Sequence, residues 1–373
     1  MIGRRIAAAL MLGLTAGCGA PGSPLNDAVP SPSREVTETP SAPEVAGVVA
    51  RDLAVPWGVD FLPGGDALVA ERDTARIVRV TPTGTVPVGR VPGAEAGGEG
   101  GLLGLAVSPA FASDRLVYVY YSTPTENRIV RMAYENGGLG APQPVFTGIP
   151  SATFHDGGRI VFGPDGMLYA GTGDATRPQL AQDRASPAGK ILRMTPDGDP
   201  APGNPFPASV VYSYGHRNVQ GLAFDSRGRL WAVEHGADTW DELNRIVPGG
   251  NYGWPLVEGR GGEFRQPAVQ WRPDEASPSG MAIVEDVAYV AALRGERLWQ
   301  VPLVGDGAAE PVPLLEGEFG RLRTVVTAPD GSLWVTTSNR DGRGDPRDGD
   351  DRILRLTTRP APGGRRPPRR TPG

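Results

Sequence analysis

A basic residue leading a short alternation of apolar side chains returns six times along the chain, and this repetition constrains the fold more than any other feature. The copies are Arg76-Ile-Val-Arg-Val80, Arg128-Ile-Val-Arg-Met132, Lys190-Ile-Leu-Arg-Met194, Asn244-Arg-Ile-Val247, Arg297-Leu-Trp-Gln-Val301 and Arg352-Ile-Leu-Arg-Leu356. Their basic residues, at 76, 128, 190, 245, 297 and 352, stand 52 to 62 residues apart. A second pattern, a turn followed by a strand, recurs in constant phase with the first. It reads Phe61-Leu-Pro-Gly-Gly65 before Ala67-Leu-Val-Ala70, Phe162-Gly-Pro-Asp-Gly166 before Leu168-Tyr-Ala170, Phe224-Asp-Ser-Arg-Gly228 before Leu230-Trp-Ala232, and Ala328-Pro-Asp-Gly331 before Leu333-Trp-Val335. Looser versions lie at Ser108 to Val119 and Met281 to Val290. Pro presets φ, Asp caps its own turn and Gly accepts positive φ, so such turns between apolar runs predict hairpins.

Each repeat therefore holds at least two antiparallel strands, and its length suits a four-stranded sheet with loops. Six such sheets closed on themselves predict an all-β fold, a six-bladed β-propeller. A β-helix would need shorter, more regular repeats, and an α/β fold would need amphipathic helices that the sequence does not display. The propeller reads as one domain over 47–357, with a strand near Val48 to Leu53 completing the last blade. Composition agrees: 53 Gly and 39 Pro among 373 residues exclude a helical bundle, while 39% apolar residues suffice for a core.

The ends of the chain read differently. Arg4 and Arg5 precede an apolar run from Ile6 to Leu14, too short to span a bilayer, and the whole resembles a secretory signal over residues 1–17. The only cysteine, Cys18, closes Leu14-Thr15-Ala16-Gly17-Cys18, so no internal disulfide can form, and the string resembles a bacterial lipobox. An ordinary signal peptide that happens to contain a cysteine is the alternative. The lipobox reading makes 18–46, rich in Pro and Ser, a tether from lipidated Cys18, and implies an extracytoplasmic protein touching the membrane through its lipid alone. Residues 358–373 carry five arginines and no acid and read as a disordered tail; removing them takes the net charge from −5 to −10, which argues against a nucleic-acid partner.

The three histidines sit in polar, glycine-containing stretches: His155 in Thr153-Phe-His-Asp-Gly-Gly-Arg159, His216 in Tyr214-Gly-His-Arg-Asn-Val-Gln-Gly221, and His235 in Glu234-His-Gly-Ala-Asp-Thr-Trp-Asp-Glu-Leu-Asn244. Propeller loops gather around the central channel, so these segments can converge. Hydrogen-bonded structural histidines and a three-histidine metal site remain open alternatives.

From about Pro56 to Leu356 the chain resembles the pyrroloquinoline quinone (PQQ)-dependent soluble aldose sugar dehydrogenases of the glucose/sorbosone dehydrogenase family. The strings that carry the resemblance are Pro56-Trp-Gly-Val, Phe61-Leu-Pro, Gly100-Gly-Leu-Leu-Gly-Leu105, His155 to Asp165, Gly173-Asp174 and Gly189-Lys-Ile-Leu-Arg193. Asn204-Pro-Phe206, Tyr214 to Gly221, Asp241-Glu-Leu-Asn244, Asn251-Tyr-Gly-Trp-Pro255 and Ser338-Asn-Arg-Asp-Gly-Arg343 complete the set. The family's fold is a six-bladed propeller, matching the repeat count.

The resemblance implies roles position by position. His155 matches the catalytic base; an imidazole with an ordinary pKa of about 6.5 suits proton abstraction from an anomeric hydroxyl while C1 gives hydride to the quinone. Asp174 matches the acid that orients it, with a turn cap as the alternative. Arg217 and Asn218 match a cofactor-contacting pair, and Arg294, Arg321 and Arg323 match basic positions that hold an acidic cofactor, suited to carboxylates by their forked donors. Arg294 stands where some relatives have lysine. Gln179 and Trp271 match substrate or cofactor contacts. Ca²⁺ is the implied metal, held by backbone carbonyls in Gly236-Ala237-Asp238-Thr239-Trp240, with Glu242 and the carbonyl of Tyr252 resembling a second, structural site.

Three departures stand out. Glu99 replaces a glutamine that touches the cofactor, so a carboxylate faces an anion unless protonated or bridged by metal. Ala268 replaces a stacking tyrosine of one relative, and Asp156 follows His155 where glutamine or phenylalanine is usual. The implied function is PQQ- and Ca²⁺-dependent oxidation of aldoses at C1 to lactones, with electrons passed to an external acceptor. A non-catalytic, calcium-binding propeller that binds carbohydrate or protein is the alternative, and a calcium-dependent hydrolase or lactonase would need several carboxylates on one ion.

Overall fold

The computed structural model describes residues 40–357. The signal segment, Cys18, most of the tether and the arginine tail lie outside the described residues.

Six small antiparallel sheets form a ring, and in the first five the strands run from the channel outward in chain order. Blade 1 is Pro56–Phe61, Ala67–Glu71, Arg76–Thr81 and Gly84–Arg90. The innermost strands of blades 2 to 6 are Leu102–Val107, Gly157–Phe162, Val219–Phe224, Pro278–Val284 and Leu322–Thr327, and each packs against the inner strands on either side until the sixth meets the first. The fold is a six-bladed β-propeller. Its six basic-led repeats fall on the third strand of each blade. The turn motifs join first strands to second: Gly166 and Gly331 close two of them at φ +76° and +83°, a left-handed conformation that glycine adopts without strain. In blade 5 the same junction is a two-residue turn at Glu285 and Asp286, both at positive φ, as a type I′ hairpin requires.

Closure comes from the two ends of the domain. Glu44–Ala50 pairs with Ile353–Thr357 as the outer strand of blade 6, so one blade is built from both chain ends. That strand begins at Glu44, three residues inside the segment read as tether, because Glu44 and Val45 already pair with Thr357 and Leu356.

Every blade buries both faces. Alternate residues of one strand serve opposite interfaces: Leu68, Ala70 and Ile77 pack toward blade 2 with Val119 and Val130, whereas Ala67, Val69 and Val78 pack toward blade 6 with Ile353 and Ala50. The remaining interfaces follow suit, including Tyr118 and Tyr120 with Leu192, and Trp231 and Val233 with Val290 and Trp299. This explains why second strands such as Leu168–Thr172 read as unbroken buried runs rather than half-polar alternations.

The loops that enter the inner strands and those that join second to third strands share one face. On it they place Glu99, His155, Asn218 and Arg321 beside Arg72, Asp174, His235 and Asp341. At the opposite mouth a cavity of about 390 Å³ is lined by the far ends of the inner strands, among them Phe61, Phe162 and Phe224.

Candidate active site

His155 precedes the inner strand of blade 3 and adopts φ +63°, an uncommon conformation for a side-chain-bearing residue. The bend is held by a close approach: a Cβ on Gly173 would fall 1.8 Å from the His155 carbonyl, which also accepts the Ala175 N–H at 3.2 Å. The ring Nδ1 of His155 lies 2.8 Å from Asp174 Oδ1. Asp174 is fully buried, and its two oxygens also accept Trp254 Nε1–H and Thr176 N–H, both at 2.8 Å. With its partners fixed, the carboxylate can hold a proton on Nδ1, which leaves Nε2 as the ring's basic atom.

Glu99 lies beside this dyad and is not a bare carboxylate. One oxygen accepts His155 N–H at 3.0 Å and Asn218 Nδ2–H at 3.4 Å; the other pairs with Arg343 Nη1 at 3.1 Å. Burial pushes its pKa up, but the nearby His235, the His155 N–H and Arg343 outweigh it and hold the carboxyl below its ordinary value. Asn218 in turn accepts Gly157 N–H at 3.0 Å, tying the entrances of blades 3 and 4 together.

The basic residues divide. Arg321 and Arg323 are buried and share Asp341 Oδ2 at 3.0 and 3.2 Å, and Arg323 also donates to Ser338 Oγ at 2.9 Å. Burial lowers Arg323 to about 10; Asp341 is held below its ordinary range because these two guanidiniums overcome the burial that would raise it. Arg217 lies 5.4 Å from the Trp254 ring centroid, and its buried Nε–H has no hydrogen-bond acceptor. Arg294 is exposed and follows Leu293, which lines the same channel mouth as Glu99, Arg323 and Arg343. Gln179 is likewise exposed, on a short 3₁₀ turn following Asp174.

Trp271 is placed elsewhere. Its strand is the outermost of blade 4, and its ring stacks on Trp299 at 5.8 Å in the core between blades 4 and 5, 3% exposed. His216 is also interior: its ring bonds Ser213 Oγ and Glu234 Oε1 and stacks on Tyr252 at 4.6 Å. His235 does reach the channel mouth, where burial lowers its pKa to about 3, and its Nε2 is buried without a partner.

The loop from Gly236 to Trp240 curls around one carboxylate. The N–H groups of Ala237, Asp238, Thr239 and Trp240 all reach Glu258 Oε1, at 2.7 to 3.0 Å. Gly236 is required, since a Cβ there would meet the Trp240 carbonyl at 1.8 Å. Below this loop Glu242 accepts Gly259 N–H and Asn244 Nδ2–H, both at 2.8 Å; burial, then the charge of Glu234, raises it to about 8. Asn244 Oδ1 is buried beside Glu242 and Glu234 with no donor. Among the described residues no cluster of three His, Cys, Asp or Glu side chains is placed to hold a metal. An oxygen-seeking cation here would draw on backbone carbonyls together with Glu242 and Asn244, a donor set that fits Ca²⁺.

Five arginines, Arg72, Arg217, Arg321, Arg323 and Arg343, thus stand near three acids, Glu99, Asp174 and Asp341, on one face of the channel, and the surplus of positive charge fits an anionic ligand. Asp341 and Arg343 belong to the string Ser338-Asn-Arg-Asp-Gly-Arg343, which marks the segment without giving either residue a role; Glu258 lies in none of the matching strings, and its partners lie across a loop.

The chain matches the profile described as glucose/sorbosone dehydrogenase over residues 53–355. It is 38% identical to the uncharacterized protein slr1608 of Synechocystis, over 84% of this chain and 89% of that one. With the aldose sugar dehydrogenase YliI of Escherichia coli it shares 30% identity, over 79% and 90% of the two chains. The solved structure of the PQQ-bound aldose sugar dehydrogenase of Streptomyces coelicolor superposes with a TM-score of 0.83 at 57% identity, covering 85% of this chain and 99% of the other.

Proposed function

Because the chain belongs to the glucose/sorbosone dehydrogenase family, we propose that its loop-bearing channel mouth is the site of a PQQ-dependent oxidation of aldose sugars. The observation that carries this reading is the His155–Asp174 pair, buried at one end and set beside a surplus of arginines. In this reading Arg217, Asn218, Arg294, Arg321 and Arg323 would hold the acidic cofactor PQQ, the carbonyls of Gly236 and Ala237 would hold a catalytic Ca²⁺, and Glu242, with the Tyr252 carbonyl, would hold a structural one. The bound quinone supplies a two-electron acceptor for hydride.

His155 takes the proton of the anomeric hydroxyl on Nε2, and Asp174 keeps the ring oriented and stabilises the imidazolium that forms. Glu99 and the Gly173 contact fix the His155 backbone, so the base meets the sugar without reorganisation. Gln179, exposed on the turn that follows Asp174, would meet the sugar in this reading, whereas Trp271 is packed in the core between blades 4 and 5. Electrons leave to an external acceptor. The cysteine at position 18 makes the protein lipid-anchored and extracytoplasmic in this reading; among the described residues no helix is long and apolar enough to cross a membrane.

The test is calorimetric titration of the purified protein with PQQ in Ca²⁺, followed by dye reduction with a panel of aldoses. Calcium-dependent binding and sugar-driven turnover are expected. A folded protein that binds no PQQ would overturn the assignment in favour of a binding propeller.

A further inference from the structure

Resting on the cofactor site just described, we propose that Arg343 is the residue that reconciles the carboxylate at position 99 with an anionic cofactor, a positioning residue that spans the mouth between Glu99 and Phe154. An exposed ion pair is ordinarily worth little, but three contacts set this one apart. Asp341 Oδ1 accepts the Arg343 N–H at 3.0 Å, while Oδ2 of the same carboxylate holds Arg321 and Arg323. Arg343 is therefore placed by the group that also places the cofactor arginines. Its guanidinium then crosses from blade 6 to Glu99, 244 residues away in sequence. On its other side it lies 5.6 Å from the ring centroid of Phe154, an exposed aromatic adjacent to His155.

Glu99 cannot be read as a defect, because its second oxygen holds the His155 backbone and Asn218. It does structural service for the base and the cofactor asparagine at once, at the cost of a negative charge in an anion site. Arg343 cancels that charge, so that Glu99 does not draw on Arg321 and Arg323, which share only Asp341 between them. The exposed Phe154 ring and the guanidinium over it form a flat edge to the mouth, suited to a planar ligand.

PQQ binding in Ca²⁺ is measured by calorimetry for the wild type, Arg343→Gln, Arg343→Lys and the double variant Glu99→Gln/Arg343→Gln, with melting temperature followed in parallel. Stranding a half-buried carboxylate beside an anion is expected to weaken PQQ by at least about tenfold in Arg343→Gln. Arg343→Lys, which keeps the charge, is expected to lose less, and the double variant to recover most of the affinity. Unchanged affinity in Arg343→Gln, or no recovery in the double variant at an unchanged melting temperature, overturns the inference while leaving the cofactor site standing. A wild type that binds no PQQ overturns both.

Discussion

His155 Nδ1 and Asp174 Oδ1 lie 2.8 Å apart, and the carboxylate is gripped from behind by Trp254. Buried and so gripped, Asp174 is not a rim acid, and in the proposed mechanism it is the orienting group. Asp174→Asn presents an amide that no longer stabilises the imidazolium, so kcat is expected to fall by about 10²- to 10³-fold with little change in PQQ affinity. Steady-state kinetics alongside calorimetry separates the two effects; an unimpaired kcat removes Asp174 from the mechanism.

Gly173 offers a harsher test of the same geometry. Alanine there would drive its methyl into the His155 carbonyl, 1.8 Å from the ideal Cβ position. The cheapest relief is movement of the His155 loop, whose φ of +63° leaves it little freedom. Gly173→Ala is expected to abolish most turnover while the far blades keep their fold, visible as an unchanged far-ultraviolet spectrum. Full activity would mean that the loop position is not needed.

The repeat architecture was legible because each blade must satisfy the same local requirements. The turn glycines, the apolar second strands and the basic-led third strands all fall where the pattern puts them. Even so, the leading basic residue does not always face water: Lys190 is buried and donates to the carbonyls of Leu180, Ala181 and Ala188, with burial lowering it to about 7. Of the candidate site, His155, Asp174, Glu99, Arg217, Asn218, Arg321 and Arg323 come together as short motifs entering the channel. Trp271 does not, because an aromatic on an outer strand is claimed by the inter-blade core. Glu258 stayed hidden, and so did the pairing of Arg343 with Glu99 although Arg343 closes a matching string, since both sets of partners are fixed by where long loops cross, which periodicity does not encode.

Stability should carry the mark of Asp60. It accepts N–H groups from Val107 and Phe61, yet burial dominates and raises it to about 6 from 3.8. The folded state therefore binds its proton more tightly than the unfolded chain does. The stabilisation is fully present below about pH 4 and is lost as pH rises through about 6, amounting to at most about 3 kcal/mol. Asp60→Asn, which cannot ionise, is expected to gain on the wild type in urea midpoint between pH 4 and pH 7. Parallel pH profiles for the two proteins would assign the titration elsewhere.

Glu258 is expected to control calcium without touching it. Its Oε1 gathers four N–H groups of residues 237 to 240, so the carbonyls that the proposed function assigns to Ca²⁺ would owe their arrangement to this one atom. Glu258→Ala strands those donors and lets the loop relax, which should weaken Ca²⁺ by about tenfold or more and cost on the order of 1–3 kcal/mol in stability.

Ring closure gives the last test. Glu44–Ala50 covers the edge of Ile353–Thr357 and contributes Ala50 and Val49 to the cluster between blades 6 and 1. A chain beginning at residue 40 keeps that strand; one beginning at 51 exposes a run of unpaired N–H and C=O groups along Ile353–Thr357 and separates the two ends of the ring. The longer chain is expected to melt like the intact protein, and the shorter one to melt roughly 5 °C or more lower and to self-associate, because an open strand edge templates pairing with another chain. Identical melting and a monomeric short chain would place closure in the side-chain packing of blades 6 and 1 rather than in the strand that joins the termini.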